Sequence, residues 1–240
     1  MAHIQQLQFV KSVSKYIRND YSNIKILEIG SYDVNGEVRK YFKKSDYVGV
    51  DLTDGPGVDI VCGGDQLDHP DQSYDLSISC ECFEHNPNWV ETFGNMWRMT
   101  KSGGVVFFTC ATTGRPEHGT TRTTPTASPG TQSLGWDYYK NLTKDDFIEK
   151  FQFNELFQSH FFMTNTNSCD LYFVGIKKSD KQIFNFKISE LEVVCAQHQD
   201  QIQKRKKSEK LIPKPFRPIL RNIHKFFVKN SVHNNLIDRA

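Results

Sequence analysis

No stretch of this 240-residue chain reaches the ~18 consecutive apolar residues that a membrane-spanning helix needs, so no transmembrane segment is expected. The N-terminus also lacks an uninterrupted apolar block. Met1 to Tyr16 mixes polar and apolar residues and reads as an amphipathic helix, with Leu7, Val10, Val13 and Ile17 on one side, not as a secretory leader. Cysteine is sparse: Cys62, Cys80, Cys82, Cys110, Cys169 and Cys195 form no CxxC and stand at no zinc-finger spacing from a histidine. That excludes the common zinc and dithiol motifs. Cys62, Cys80 and Cys110 fall in predicted strands, where a thiol serves as a small buried hydrophobe, and a cytoplasmic, reducing setting is the expectation.

Acids are almost missing from one region. Between Gln201 and Lys229, Glu209 stands alone against ten Lys and Arg, whereas the rest of the chain holds 20 basic and 27 acidic residues. An acidic body over residues 1–180 and a basic helical extension over 181–240 follow from that split. The extension carries a KRKK run at Lys204 to Lys207, then Pro213, Pro215 and Pro218 before a stretch alternating basic and apolar residues. Such a segment suits peripheral contact with an anionic membrane surface, a partner protein, or docking of one helix face on the body. Nucleic acid is disfavoured by the acidic body.

Within the body, short apolar runs alternate with helical spacing. Residues 24–30 (IKILEIG), 47–51 (YVGVD), 59–62 (DIVC), 74–80 (YDLSISC) and 105–110 (VVFFTC) read as strands. Residues 38–42 and 87–99 read as helices, the second ended by Gly103-Gly104. Thr143 caps a helix over 144–151, and strands near 158–163 and 171–177 close the sheet as an antiparallel pair. The pattern predicts a doubly wound, Rossmann-like α/β fold with a mostly parallel seven-stranded sheet and helices on both faces. Residues 112–142 contain a loop too long for a mere connection, which marks it as functional.

Two constellations bear on chemistry. Gly30 follows the first strand directly, where the backbone can turn sharply and approach a ligand. Asp51 closes the second strand about twenty residues later, the place from which a carboxylate holds ribose hydroxyls in nucleotide-binding folds. The GxGxxG of a nicotinamide-dinucleotide site is missing here, which argues against NAD.

Glu28-Ile29-Gly30 resembles motif I of class I S-adenosylmethionine-dependent methyltransferases, of the type associated with glycan biosynthesis, and Val48-Gly49-Val50-Asp51 resembles their second strand. Cys80-Glu81-Cys82-Phe83-Glu84-His85 is similar to the ExxEH segment after the fourth strand, and Thr100-Lys101-Ser102-Gly103-Gly104 to the turn before the fifth. The resemblance implies S-adenosyl-L-methionine as cofactor. It places Glu28 and Gly30 at the methionine end, Asp51 at the ribose hydroxyls, Asp65 at the adenine amino group and Glu81 beneath the sulfonium, with Ser31, Tyr32 and Leu52 as further cofactor-binding residues. Tyr32 and Val34 stand where the family has further glycines, which leaves the contacts of Ser31 and Tyr32 open.

The loop leaves the fifth strand where an acceptor would enter and gathers Arg115, Glu117, His118 and Arg122. Arg115, Glu117 and Arg122 are the candidate substrate-binding residues. An alcohol nucleophile must lose a proton, so His118, then His85, are the candidate catalytic groups. No metal ligand set is assigned. Plainer roles stand beside each: Asp51 as a helix cap, Asp65 in a GGD turn, His85 as a neighbour of a helix cap, Glu117 and His118 shaping the loop. The reading is a methyltransferase acting on a small-molecule or carbohydrate acceptor, with a sugar hydroxyl in the lead. A lipid-linked acceptor at a membrane surface and a non-catalytic cofactor-binding scaffold are the alternatives.

Overall fold

The computed structural model describes residues 3–211; the Pro-rich and basic-apolar part of the tail, from residue 212 on, lies outside the described residues. The strands are β1 (Lys25–Ile29), β2 (Asp46–Asp51), β3 (Ile60–Val61), β4 (Tyr74–Cys80), β5 (Thr100–Ala111), β6 (Phe157–Asn165) and β7 (Asp170–Lys177). They form one sheet in the order β3-β2-β1-β4-β5-β7-β6. The first five pair in parallel, and β7 runs antiparallel to both β5 and β6. Because β1 has β2 on one side and β4 on the other, the winding reverses between β1 and β4. A crevice opens at the carboxyl ends of the strands wherever such a sheet reverses.

Central parallel strands are covered on both faces, so successive residues of one strand serve different cores. On one face, helix α1 (Ile4–Ile17) lays Phe9, Val10 and Val13 against Ile26, Ile78, Phe107 and Tyr172. The Phe9 ring stacks on Tyr172 with centroids 4.2 Å apart. On the other face, α2 (Trp89–Met99) brings Phe93 and Met96 to Leu27, Val106, Phe108 and Phe173. Further along the chain come α3 (Pro129–Ser133), α4 (Lys144–Lys150), α5 (Phe153–Leu156) and α6 (Ile188–Leu211). Thr143 and Asp146 complete a reciprocal capping box at the start of α4, as that spacing implies.

Three sequence expectations change. Residues 38–42 hold only a single 3-10 turn, Arg39–Tyr41, because the chain before it turns at Gly36 (φ 133°), whose N–H donates to Asp33 Oδ1. β5 starts at Thr100, directly after α2, and the glycine pair lies inside it. Gly103 takes φ 76° where the pairing register with β4 shifts, so the pair bends a strand instead of preceding one. The core also continues beyond residue 180: Phe184, Phe186, Leu191 and Cys195 are buried, and the first compact unit runs to Cys195. A second unit begins at Ala196, and its described part is helical to Leu211. Among the described residues, no helix is long and apolar enough to cross a membrane.

Candidate active site

The carboxyl ends of β1, β2 and β4 wall an open cleft. Gly30 leaves β1 at φ 81°, and its N–H donates to the Val50 carbonyl at 2.8 Å. A Cβ at this position would lie 2.6 Å from Cys82 Cβ, so only glycine permits the turn. At the end of β2, Asp51 accepts from the Tyr32 N–H at 3.0 Å through Oδ2 and from the Leu52 N–H at 2.7 Å through Oδ1. A carboxylate offers about four lone-pair sites, and the Thr53 N–H also acts on this one, which leaves at least one for a ligand. Burial raises the Asp51 carboxyl above its ordinary range, against those backbone donors.

Glu28 is buried and accepts from the Tyr47 hydroxyl at 2.8 Å; burial pushes its carboxyl up to about 7. Asp65 Oδ2 accepts from Asn88 Nδ2 at 3.1 Å, which ties it to the start of α2. The fold brings Glu28, Gly30, Ser31, Tyr32, Asp51, Leu52, Asp65 and Glu81 to the wall of one cleft. The buried Ser31 hydroxyl there has no hydrogen-bond partner among the described residues, which fits a wall built to meet a polar ligand.

Glu81 directly follows β4 at φ 53°, a left-handed conformation that a non-glycine residue adopts at a cost of roughly 1–3 kcal/mol. Its side chain turns into a buried ion cluster. Thr109 Oγ1 donates to it at 2.9 Å, His3 Nε2 lies 3.6 Å away and Arg115 Nη2 3.7 Å away. Burial opposes its charge, but the His3 hydrogen bond and the charges of His3 and Arg115 hold its carboxyl below the ordinary range. Arg115 also donates to the Ser168 carbonyl at 2.7 Å and to Asp170 Oδ1 at 3.1 Å. Its guanidinium therefore cross-links β4, β7 and the loop and does not line the cleft.

His3 belongs to the same cluster. Burial would lower its pKa, but the Asp170 and Glu81 carboxylates raise it to about 9. A folded pKa above the unfolded value of ~6.5 stabilises fully below ~6.5, and the contribution disappears as pH rises through 9. The wild-type chain is expected to lose on the order of 1–3 kcal/mol between pH 6.5 and 9 that a His3→Gln variant does not lose. Denaturant unfolding of both chains across that range checks this; parallel curves would detach His3 from the cluster.

Glu117 and Arg122 are occupied with each other. Glu117 accepts from Thr120 Oγ1 at 2.6 Å, and Arg122 donates to Glu117 at 2.8 Å and to Asp137 at 2.8 Å. Neither side chain lines the cleft, and both shape an exposed turn. His118 sits deeper, its ring centroid 4.9 Å from that of His85. Tyr139 packs beside both rings, at 5.4 Å from His85 and 5.1 Å from His118. His85, which also lines the cleft, is driven down to about 3 by burial and is a neutral imidazole. Burial likewise lowers His118, and it pushes the Glu84 carboxyl above its ordinary range with the help of the Glu81 charge.

The cleft has two further walls that sequence reasoning missed. One is Gln6 of α1, fully buried. A glutamine on the same helical face as Val10, Val13 and Ile17 breaks an apolar stripe, and that anomaly was its signal. The other is the segment from Ala127 to Thr131, which crosses the mouth so closely that a Cβ on Gly130 would meet Asp51 Oδ1 at 2.7 Å. Ser128-Pro129, a helix-start signal inside the loop, marked it. Part of the expected acceptor loop thus lies over the Asp51 side of the cleft.

Residues 11–108 match a family described as a methyltransferase domain. Among solved structures, the chain is similar to phosphoethanolamine N-methyltransferase 2 of Haemonchus contortus in complex with phosphomonomethylethanolamine and S-adenosylhomocysteine. The two are 14% identical with a TM-score of 0.50, and the match covers 72% of this chain and 52% of that one. It is also similar to the 1,6-didemethyltoxoflavin-N1-methyltransferase of Burkholderia thailandensis with bound 1,6-didemethyltoxoflavin and S-adenosylhomocysteine. There the identity is 12%, the TM-score 0.51 and the coverage 72% of this chain and 79% of that one. This chain therefore spans about half the length of the nematode protein, and at these identities the likeness is one of fold. No curated protein matches the sequence significantly.

Proposed function

We propose that this chain is an S-adenosyl-L-methionine-dependent methyltransferase whose acceptor is a hydroxyl group, with a sugar hydroxyl of a glycan or polysaccharide precursor as the leading class. The observation that carries the cofactor half is the convergence of Gly30, Asp51 and Asp65, far apart in sequence, on one cleft at the reversal point of the sheet. Asp51, with Leu52 beside it, takes the ribose hydroxyls; Asp65 meets the adenine amino group; Glu28, Gly30, Ser31 and Tyr32 surround the methionine end. When bound, the cofactor supplies a methyl group already activated by its sulfonium. The chain must then hold an acceptor in line with that carbon and keep water out. The Ala127 to Thr131 segment covers the mouth for the second purpose.

The acceptor half rests on Glu84, His85 and His118 beside the cleft. A neutral amine needs no base before attack, but a hydroxyl must shed its proton, and a cluster of imidazole and carboxylate lone pairs serves that need. The surrounding loop is rich in hydroxyls, including Thr120, Thr121, Thr123 and Thr124, which suits a polyhydroxylated acceptor. Incubation with methyl-labelled cofactor and a panel of glycosides, lipid-linked sugars and amines tests the assignment. Label is expected in glycoside methyl ethers; label confined to amines would overturn the hydroxyl assignment while leaving the cofactor intact.

A further inference from the structure

Glu84, His85 and His118 each place one ligand atom within 4.8 Å of the other two. Glu84 is 0% exposed and His85 3% exposed. Among the described residues, neither Glu84 oxygen, neither His85 ring nitrogen nor His118 Nε2 has a hydrogen-bond partner. Five lone-pair or N–H positions left unpaired in the interior is a costly arrangement, and buried polar groups ordinarily find a partner. Arg115, whose charge acts on both histidines, is committed to Asp170 and the Ser168 carbonyl. In the neighbouring ion cluster, His3 Nε2 lies 3.1 Å from Asp170, and Glu81 Oε2, itself without a hydrogen bond among the described residues, lies 3.6 Å from His3 Nε2 and 3.7 Å from Arg115 Nη2, so cations face it there.

The supports of the three side chains also fit a ligand set. His118 Nδ1 lies 3.1 Å from the Pro116 carbonyl, so the ring donates its N–H there and presents the Nε2 lone pair inward. Fixing a histidine tautomer through a backbone carbonyl is the usual outer-shell device of metal ligands. Gly119, at φ 71°, leaves no room for a Cβ, which would fall 2.8 Å from His85 Cε1, so the loop backbone presses on the His85 ring. Tyr139 packs against both rings.

We propose that Glu84, His85 and His118 form a binding site for a divalent transition-metal ion at the wall of the cleft, with open coordination positions towards an acceptor oxygen. Two imidazoles with one carboxylate suit Zn²⁺, Mn²⁺ or Fe²⁺ over the all-oxygen preference of Mg²⁺ and Ca²⁺. Three protein ligands with room for a fourth is the pattern of catalytic, not structural, sites. A hydroxyl bound to such an ion is made more acidic, which is the help an oxygen nucleophile needs. That last role rests on the methyltransferase reading; the site itself does not.

The test is a Co²⁺ titration of the full chain, stripped of metal and free of cofactor, followed by visible absorption. Saturation at one ion per chain is expected, with the weak d–d bands of nitrogen and oxygen ligation and no thiolate charge-transfer band. Glu84→Gln and His118→Ala, each checked for folding by circular dichroism, should weaken binding by more than about tenfold. His118 is in the loop and only part-buried, so His118→Ala remains informative if the buried Glu84→Gln does not fold. No saturable binding, unchanged binding in folded His118→Ala, or intense thiolate bands from the cysteines would each overturn the site. Titrating the same samples with S-adenosylhomocysteine separates the two readings: lost Co²⁺ binding with intact nucleoside binding removes only the ion site, and the reverse leaves the ion site standing.

Discussion

Replacing His118 by alanine is expected to lower turnover by about 10²–10⁴-fold while affinity for S-adenosylhomocysteine barely moves. The asymmetry comes from placement. His118 does not line the cleft, so the cofactor end loses nothing, whereas its Nε2 faces Glu84 and His85, where the acceptor's proton must be dealt with. Turnover and acceptor affinity measured separately give the answer. A rise in KM alone would make His118 a positioning residue. With both parameters near wild type, the loop histidine is structural, and His85→Ala becomes the decisive variant. His85 is already neutral through burial, so protonating it is not what limits activity near neutral pH.

Asp51→Ala is expected to weaken cofactor binding by roughly 10²–10⁴-fold, since hydrogen bonds to a charged carboxylate contribute about 1.5–3 kcal/mol each and two ribose hydroxyls are involved. Some of that loss passes through the protein. Asp51 also accepts the Tyr32 and Leu52 N–H groups, so its removal loosens the turn that carries Gly30 and Ser31. Asp51→Asn separates the contributions, because an amide keeps an acceptor for the turn but gives up the charge. Both variants should fold, since Asp51 stands at the rim of the cleft and not in either core. Equal cofactor affinity in wild type and a folded Asp51→Ala would mean that the ribose lies elsewhere.

Much of this architecture is legible in sequence because burial on two faces leaves a plain signature. β4 occupies residues 74–80 as its apolar run implies, and the antiparallel strands and the Thr143 cap fall within a few residues of expectation. The wall of the cleft is legible for a related reason: Gly30 and Asp51 are fixed by backbone geometry at strand ends, which one sequence displays. Where sequence reasoning goes astray, a local signal had two meanings. Gly103 and Gly104 look like a breaker but bend a strand, and the apolar residues after Val38 look like a helix but make one 3-10 turn. The loop is the deeper case. Arg115, Glu117 and His118 are five residues or fewer apart, yet the fold sends Arg115 into an ion cluster, Glu117 to the surface and His118 to Glu84 and His85. Partners such as Asp170, Arg122 and Glu84 decide those fates, and they lie up to 55 residues away.

The central claim is that the cleft at the reversal of the sheet is a site for S-adenosyl-L-methionine, and isothermal titration of the wild-type chain tests it most directly. Saturable binding of S-adenosylhomocysteine at one per chain is expected, together with a rise in thermal midpoint that grows with ligand concentration because the ligand binds only the folded state. NAD should give neither. Binding of NAD with no response to S-adenosylhomocysteine or S-adenosylmethionine would contradict the account.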